Sequence, residues 1–554
     1  MNKQWNDALD QVKDEHLAEA VTYRPKRHWI MLVSTMAAIL ILVVSWSVLR
    51  PDPLATDVTM DAPRETTTAV NTSTTPTVAN DHTPSDGGGQ DTPTFPLPQA
   101  TEPIPTLPLP EEPTSPTFPT TENIPPINIP YGTITSPHLL SLPNLVTAPT
   151  YPKQPKRPDP SDYSDRYQLQ AAQEYWRYQL SLQKVTSPDN VRDLDPFMKS
   201  AVTQFLSGNG NRVCSPLNMY FALAMLAETT EGSSRQQILG LLGHSSIESL
   251  RAQSKQLWQA HFFDNGVTTS VLANSLWLDE RFNFHQSALS NLSSNYFASV
   301  FKGNLGSNSM NQQLSAWLNS QTGNLLSDYT QNIQLDPTTV FSLASTTYFS
   351  ADWEHTFSES ATSKEVFHCN GYDVNKDFMH TTFRDQAYYY DPIFSAIRLS
   401  LADGYSMWLI LPDEGYSPAD VLKQGNYYQL ISSPRQWPGV GRYKVNLSLP
   451  KFDISSEQEL TSGLKSMGIT DVFTSNANFS PITNAELSVG KVSHAARVCI
   501  DEEGIIAAAY TIIEGPGAAA PPDDEVDFIV NRPFLFAITG RDDLPLFAGV
   551  VAEP

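Results

Sequence analysis

Twenty-five of the chain's 43 prolines fall between Pro51 and Pro160, and that concentration divides everything else. Proline fixes φ and has no backbone N–H to give to a helix or a sheet ladder. Runs such as "TEPIPTLPLPEEPTSPTFPTTENIPPINIP" have neither helical nor strand periodicity and bury no core. An extended, polyproline-type stalk is the expected state of residues 50–160. The 554 residues then separate into a polar head (1–28), an apolar stretch (29–49), the stalk, a polar helical lead-in (161–192) and a globular remainder (193–554).

The apolar stretch Trp29 to Leu49, "WIMLVSTMAAILILVVSWSVL", holds 21 residues without a charge. As a helix it is long enough to cross a hydrocarbon core roughly 30 Å thick, with Trp29 and Trp46 near its ends. A secretory signal would have a shorter apolar run and a small-residue cleavage site, so a transmembrane anchor is expected. Arg24, Lys26 and Arg27 precede the stretch and only Arg50 follows it. That asymmetry places the N-terminus in the cytoplasm and the remainder outside, at the cell surface.

In the remainder, helical patterns come first ("MKSAVTQFL", "PLNMYFALAMLAETTEG"), after the lead-in helix expected over Tyr167 to Val185. Strand-like runs follow: "SVLANSLWLD", "TTVFSLASTTYFS", "YSMWLILP", "RYKVNLSLPKFDI" and "LPLFAGVVAEP". Their spacing predicts an α+β domain with large antiparallel sheets. A net charge of −24 excludes the basic footprint that nucleic acid requires. Cys214, Cys369 and Cys499 are odd in number and far apart, so no disulfide framework is implied and each is expected as a small buried side chain.

Common catalytic patterns do not occur in the chain: it has no G-x-S-x-G elbow, H-E-x-x-H pair, phosphate loop or G-x-G-x-x-G. His368, Cys369 and His380 cluster in "FHCNGYDVNKDFMH" and flank an apparent turn, so strand-end histidines are expected there rather than zinc ligands. Glu502 and Glu503 would project to opposite faces of a strand, which does not suit paired acid–base work. Neither an enzyme, a metal nor a cofactor is expected.

Several blocks, in one order along the chain, resemble the serpins. "VNRPFLFAITGRDDLPLFAGVVAEP" (Val530 to Pro554) is similar to the family's C-terminal signature, and "GKVSHAARVCIDEEGIIAAA" (Gly490 to Ala509) to the strand that leads into the hinge of its reactive loop. "NSLWL", "TTYFSADWEHTF" and "VCSPLNMYFALAMLAETTEGSSRQQIL" resemble further family blocks. The resemblance implies three β-sheets, eight to nine helices and an exposed reactive-centre loop, here in a bacterial-type, membrane-anchored arrangement. In inhibitory members a protease cuts the loop. Its N-terminal part then enters the large sheet as a new strand and carries the acylated protease with it.

Carried over position by position, the resemblance assigns Glu502, Glu503, Gly504, Ile505, Ile506, Ala507, Ala508, Ala509, Thr511 and Ile513 to the hinge and inserting loop. Counting 17 residues from Glu502 makes Ala518–Ala519 the bond to be cut, with Gly517–Ala518 and Glu514–Gly515 as competitors. A small residue there fits elastase-like or subtilisin-like specificity pockets. Trp353 matches a tryptophan beneath the point where the loop enters the sheet, Lys451 a partner of the first hinge glutamate, and His494 a residue where the central strands part. Ser215, Asn218 and Ser345 join that region; the family often has Ser where Asn218 stands and Asn where Ser345 stands.

The loop residues meet the demands of insertion on their own terms. One strand face would carry Ile505, Ala507, Ala509, Thr511, Ile513 and Gly515, small or β-branched and uncharged. Ile505 and Ile506 depart from the smaller hinge residues usual in inhibitors. Pro516 would remove one ladder bond at the far end of the segment. The expected function is a monomeric, membrane-tethered suicide substrate of serine proteases, forming a covalent acyl complex with its target. A non-inhibitory surface protein that binds a ligand or partner is the alternative, and an adhesin on a stalk a third reading.

Overall fold

Helices and strands form where the apolar spacing asks for them. The computed structural model describes residues 35–45, most of 142–181, 191–502 apart from 266, and 524–554. Residues 1–34, 46–141, 182–190 and 503–523 lie outside the described residues. The end of the expected stalk is partly described and departs from an extended segment burying no core, since Leu145–Thr147 pairs as a strand with residues of Ala298–Gly303, and Leu142 and Tyr151 are buried. The lead-in helix α1 (Arg166–Ser181) matches its expected place. It is followed by α2 (Asp195–Leu206), α3 (Pro216–Thr229), α4 (Gly232–Leu241), α5 (Ile247–His261), α6 (Gln286–Asn295) and α7 (Asn308–Gln321). Four short segments complete the set: α8 (Ser327–Thr330), α9 (Pro418–Gln424), α10 (Asn426–Ser432) and α11 (Thr461–Ser466). These are eleven α-helices among the described residues, more than the eight to nine expected, because several are a single turn or two.

Helix α3 explains how the layers meet. Every residue from Pro216 to Thr229 is buried, as expected of a helix apolar on all sides. Ser215 caps it by accepting a hydrogen bond from the Asn218 N–H, and Pro216 sits at the first helical position, where its missing N–H costs nothing. Helix α5 shows the amphipathic alternative: Ile247, Leu250, Ser254, Leu257, Trp258 and His261 are buried, a single stripe at helical spacing.

Two hydrogen-bonded sheets account for the described strands. The first runs in the order β13 (Phe452–Glu459), β14 (Ser488–Ile500), β1 (Thr35–Ser45), β7 (Thr339–Ser350), β5 (Thr269–Asp279), β6 (Ala298–Gly303), β2 (Leu145–Thr147), with β4 (Phe263–Asp264) beside β5. The second runs β15 (Glu525–Ile529), β12 (Val440–Pro450), β9 (Tyr372–Asp391), β10 (Phe394–Ser400), β11 (Ser406–Pro412), β16 (Phe534–Thr539), β17 (Pro545–Val551), β3 (Arg212–Cys214). There β8 (Ser363–Cys369) pairs with β9. Three sheets were expected. Strand β9 is 20 residues long and pairs with β12 along one stretch and β10 along another, so it joins two sheets into one continuous ladder.

The largest correction concerns the expected membrane helix. The described part of Trp29 to Leu49 is strand β1, antiparallel to both β14 and β7. No helix among the described residues is long and apolar enough to cross a membrane. An uninterrupted apolar run fits a strand buried on both faces as well as a helix, and Ile39, Ile41, Val43 and Val44 supply the β-branched content that favours the strand. Leu40, Ile41 and Leu42 are all buried, and helix α3 packs against β1, β7 and β17.

Candidate functional site

The site is built where β14 ends. Beyond Ile500 the chain leaves the first sheet, and three side chains from distant segments hold it there. The Trp353 indole N–H donates to the Asp501 carbonyl at 2.9 Å. Trp353 is itself buried, and its ring meets Phe357 edge-on. Lys451 Nζ donates to one oxygen of the Glu502 carboxylate at 2.6 Å, and the Thr362 hydroxyl donates to the other at 2.6 Å. Lys451 stands between β12 and β13, its N–H bound to the Asp377 carbonyl, so the anchor ties the end of β14 to both sheets.

Glu502 is buried to 6 % exposure. Burial alone would raise its pKa, but the hydrogen bonds from Lys451 and Thr362 outweigh it and hold the carboxyl below its ordinary value. For Lys451, partial burial pulls downward, yet the bond to Glu502 and its charge raise the ammonium above its usual range. The two shifts agree on a charged pair. The chain leaves the described residues after Glu502 and re-enters at Asp524, whose carbonyl accepts from the Lys444 N–H at 3.0 Å. Glu503, Gly504, Ile505 to Ala509, Thr511, Ile513 and the Ala518–Ala519 bond therefore lie outside the described residues, between two fixed ends.

A second cluster lies midway along the sheet, under the strand in its centre. The Ser215 N–H donates to His494 Nε2 at 3.2 Å, and the Ser215 hydroxyl to the Leu546 carbonyl at 2.7 Å. Asn218 Nδ2 donates to the Ser345 carbonyl at 3.2 Å. All four residues are buried. His494 belongs to β14 and Ser345 to β7, so the start of α3 tethers both strands that flank β1. Leu40 is in register with His494 on one side and Ser345 on the other. The structure thus gathers Ser215, Asn218, His494 and Ser345, and separately Trp353, Lys451 and Glu502.

Two participants escaped the sequence reading. Thr362 lies 140 residues from Glu502, and nothing local to either marks the pairing. Strand β1 carried a signal, its apolar run, which length assigned to a membrane. Elsewhere, His368 pairs with Asp373 at 2.9 Å and His380 with Glu365 at 2.8 Å across the β8–β9 hairpin. All three cysteines are free; Cys214 and Cys499 are buried, whereas Cys369 is half-buried, beside the turn between those strands.

A family model described as "Serpin (serine protease inhibitor)" matches residues 197–554. The chain is 27% identical over 376 residues to Serpin-ZX of Arabidopsis thaliana, an alignment covering 63% of this chain and 93% of that protein. It is 29% identical over 359 residues to serine proteinase inhibitor A3K of Cavia porcellus, covering 63% and 85%. Among solved structures, the thermophilic serpin tengpin in its native state matches with a TM-score of 0.58 at 24% identity, covering 67% of this chain and 96% of that one. Thyroxine-binding globulin complexed with thyroxine matches with a TM-score of 0.54 at 21% identity, covering 65% and 98%; at such identities these two matches speak for the fold alone. These curated relatives come from a plant and an animal and carry no bacterial assignment. The family match over residues 197–554, with the motifs and the fold in agreement, establishes that the chain belongs to the serpins, a family whose members are in general inhibitors of serine proteases.

Proposed function

We propose that residues 193–554 inhibit serine proteases as a suicide substrate. The loop after Glu502 serves as bait, cut at Ala518–Ala519, and the freed segment enters the first sheet between β14 and β7. The observation that carries this reading is the anchored end of β14. Trp353, Lys451 and Thr362 hold Asp501 and Glu502 at the top of two strands whose facing edges accept a strand between them. A chain folding back from that point runs antiparallel to β14, the orientation this position takes. Alanine at the bond to be cut favours proteases with shallow, apolar specificity pockets, elastase-like or subtilisin-like.

The test is incubation of the purified full chain with pancreatic elastase, neutrophil elastase and a subtilisin, followed by a denaturing gel. A covalent complex together with a released fragment beginning at Ala519 is expected. Cleavage at that bond without any covalent species, both in the full chain and in a chain whose residues 35–45 have been displaced from the sheet, would overturn the reading.

One observation favours the alternative, a non-inhibitory serpin that binds a ligand or partner: the middle of the sheet already holds a strand. Thyroxine-binding globulin is a relative in fold with such a bound ligand. For location we propose the cell surface, supported by Arg24, Lys26 and Arg27 ahead of the apolar stretch against Arg50 alone behind it. Anchoring by a helix over residues 29–49 requires residues 35–45 to leave the sheet.

A further inference from the structure

We infer that the apolar segment Thr35–Ser45 is an internal plug: it occupies the strand position that the cut reactive loop needs, and its withdrawal switches the inhibitor on. The consequence for inhibition rests on the function proposed above; the occupancy of the sheet does not.

The geometry is that of a fitted occupant. Strand β1 pairs with β14 from Met36 opposite Val498 to Val43 opposite Lys491, and with β7 from Thr35 opposite Ser350 to Val44 opposite Phe341. Backbone N–H and C=O groups along two facing strand edges in the middle of a sheet need partners, and β1 supplies them along almost its whole length. The Ser342 hydroxyl adds a bond to the Leu42 carbonyl at 2.9 Å. Strand alternation sends neighbouring side chains to opposite faces. Ile41 lines a cavity of about 550 Å³ together with Leu325, Tyr329 and Leu335. Leu40 and Leu42 therefore face the other way, the side on which α3 packs.

The competition follows from direction and register. A segment continuing from Glu502 and folding back beside β14 would be antiparallel to both β14 and β7, as β1 is. With a four-residue turn over Asp501 to Gly504, Thr511 would come opposite His494 and Ile513 opposite Val492. Those are the partners of Leu40 and Leu42. Both strands cannot hold the same backbone groups. The occupant is also richer in large aliphatic side chains than its competitor, which offers alanine at three of those positions, threonine at one and a glutamate at another. A plug of this kind makes the uncut chain a poor trap until the segment is drawn out.

The test uses the full chain and the double variant Leu40→Asp/Leu42→Asp, which places two carboxylates on the face toward α3 and expels the strand. The probe is a fluorescein-labelled synthetic peptide copying residues 505–515. The variant is expected to take up the peptide at least tenfold faster than the wild type, and to convert at least tenfold more of its cleaved chains into covalent complex. Equal uptake by the two chains overturns the plug. Hydrogen exchange on the wild type gives a second reading that does not depend on the variant folding. Slow exchange at the Leu40, Ile41 and Leu42 amides in aqueous buffer is expected. Fast exchange, or protection only in detergent micelles as a membrane helix would show, overturns it. If the variant takes up peptide yet neither chain forms a complex with any protease tested, the plug stands and the inhibitor function falls.

Discussion

At the scale of single residues, Glu502 decides where β14 stops being sheet. Its carboxylate is held by one charged and one neutral donor, and its pKa is depressed in the fold. A group of this kind contributes stability that is present above its unfolded pKa and is lost as pH falls through the folded one. Lys451, with its raised pKa, contributes below its unfolded value and loses that contribution only as pH rises through the folded one. The pair is therefore intact across neutral pH and fails on the acid side first. Glu502→Gln is expected to lower the melting temperature by a constant amount above about pH 5, where an ordinary carboxylate is ionised. The difference should shrink towards zero on acidification, as thermal unfolding at a series of pH values would reveal. A difference independent of pH would assign Glu502 a packing role only.

On the proposed function, the hinge residues would act by size and charge. Ala507→Arg or Ala509→Arg would bring an unpaired charge into the first sheet, at a cost of several kcal/mol. The loop should still be cut, while the yield of covalent complex per cleavage drops sharply. Unchanged stoichiometry of inhibition would remove insertion from the mechanism.

At the scale of elements, the start of α3 tethers β14 and β7, the strands that would part on the proposed mechanism. Asn218→Ala removes the donor to the Ser345 carbonyl and leaves that buried acceptor short of a partner. Such losses cost about 1–3 kcal/mol. The expected result is a melting temperature lower by a few degrees, with faster hydrogen exchange centred on Ser345. Unaltered exchange in β7 would mean that the tether is redundant.

Elements also mark how far the sequence could be read. Strands β5, β7, β11 and β17 stand where apolar runs placed them, because a strand buried on both faces leaves an unbroken signal. "RYKVNLSLPKFDI" reads as one strand but is two, in different sheets, broken between Pro450 and Phe452. Through Lys451 the chain still bonds to β9, its N–H meeting the Asp377 carbonyl, whereas Phe452 already pairs with Ile500 of β14, a change of partner no local pattern announces. The start of strand β9 was expected from the turn that His368 and His380 flank, but its 20-residue extent was not, because its exposed polar face dilutes the alternation. The anchor residues Trp353, Lys451 and Glu502 came from family resemblance, since single residues in distant segments carry no periodicity. The stretch Trp29 to Leu49 misled because length favoured a helix, whereas the free edges of β14 and β7 favour a strand. That contest is tertiary, and sequence alone does not show it.

At the scale of the whole molecule, the central claim is that the position between β14 and β7 is the seat of the cut loop, now held by β1. Cutting an exposed loop ordinarily leaves stability unchanged or lowers it. On the proposed mechanism a cut would free a segment to bury Ile505, Thr511 and Ile513, with each aliphatic side chain contributing about 1.5–3 kcal/mol when fully buried. The direct measurement is thermal unfolding before and after a confirmed cut at Ala518–Ala519, on the wild type and on Leu40→Asp/Leu42→Asp. The account predicts that cleavage raises the melting temperature of the double variant by about 10 °C, the order that several kcal/mol gives in a large domain. It predicts a much smaller rise in the wild type, where the position is already filled. A cut that leaves both chains melting at or below their intact temperatures would contradict the account, because no strand would then have entered the sheet.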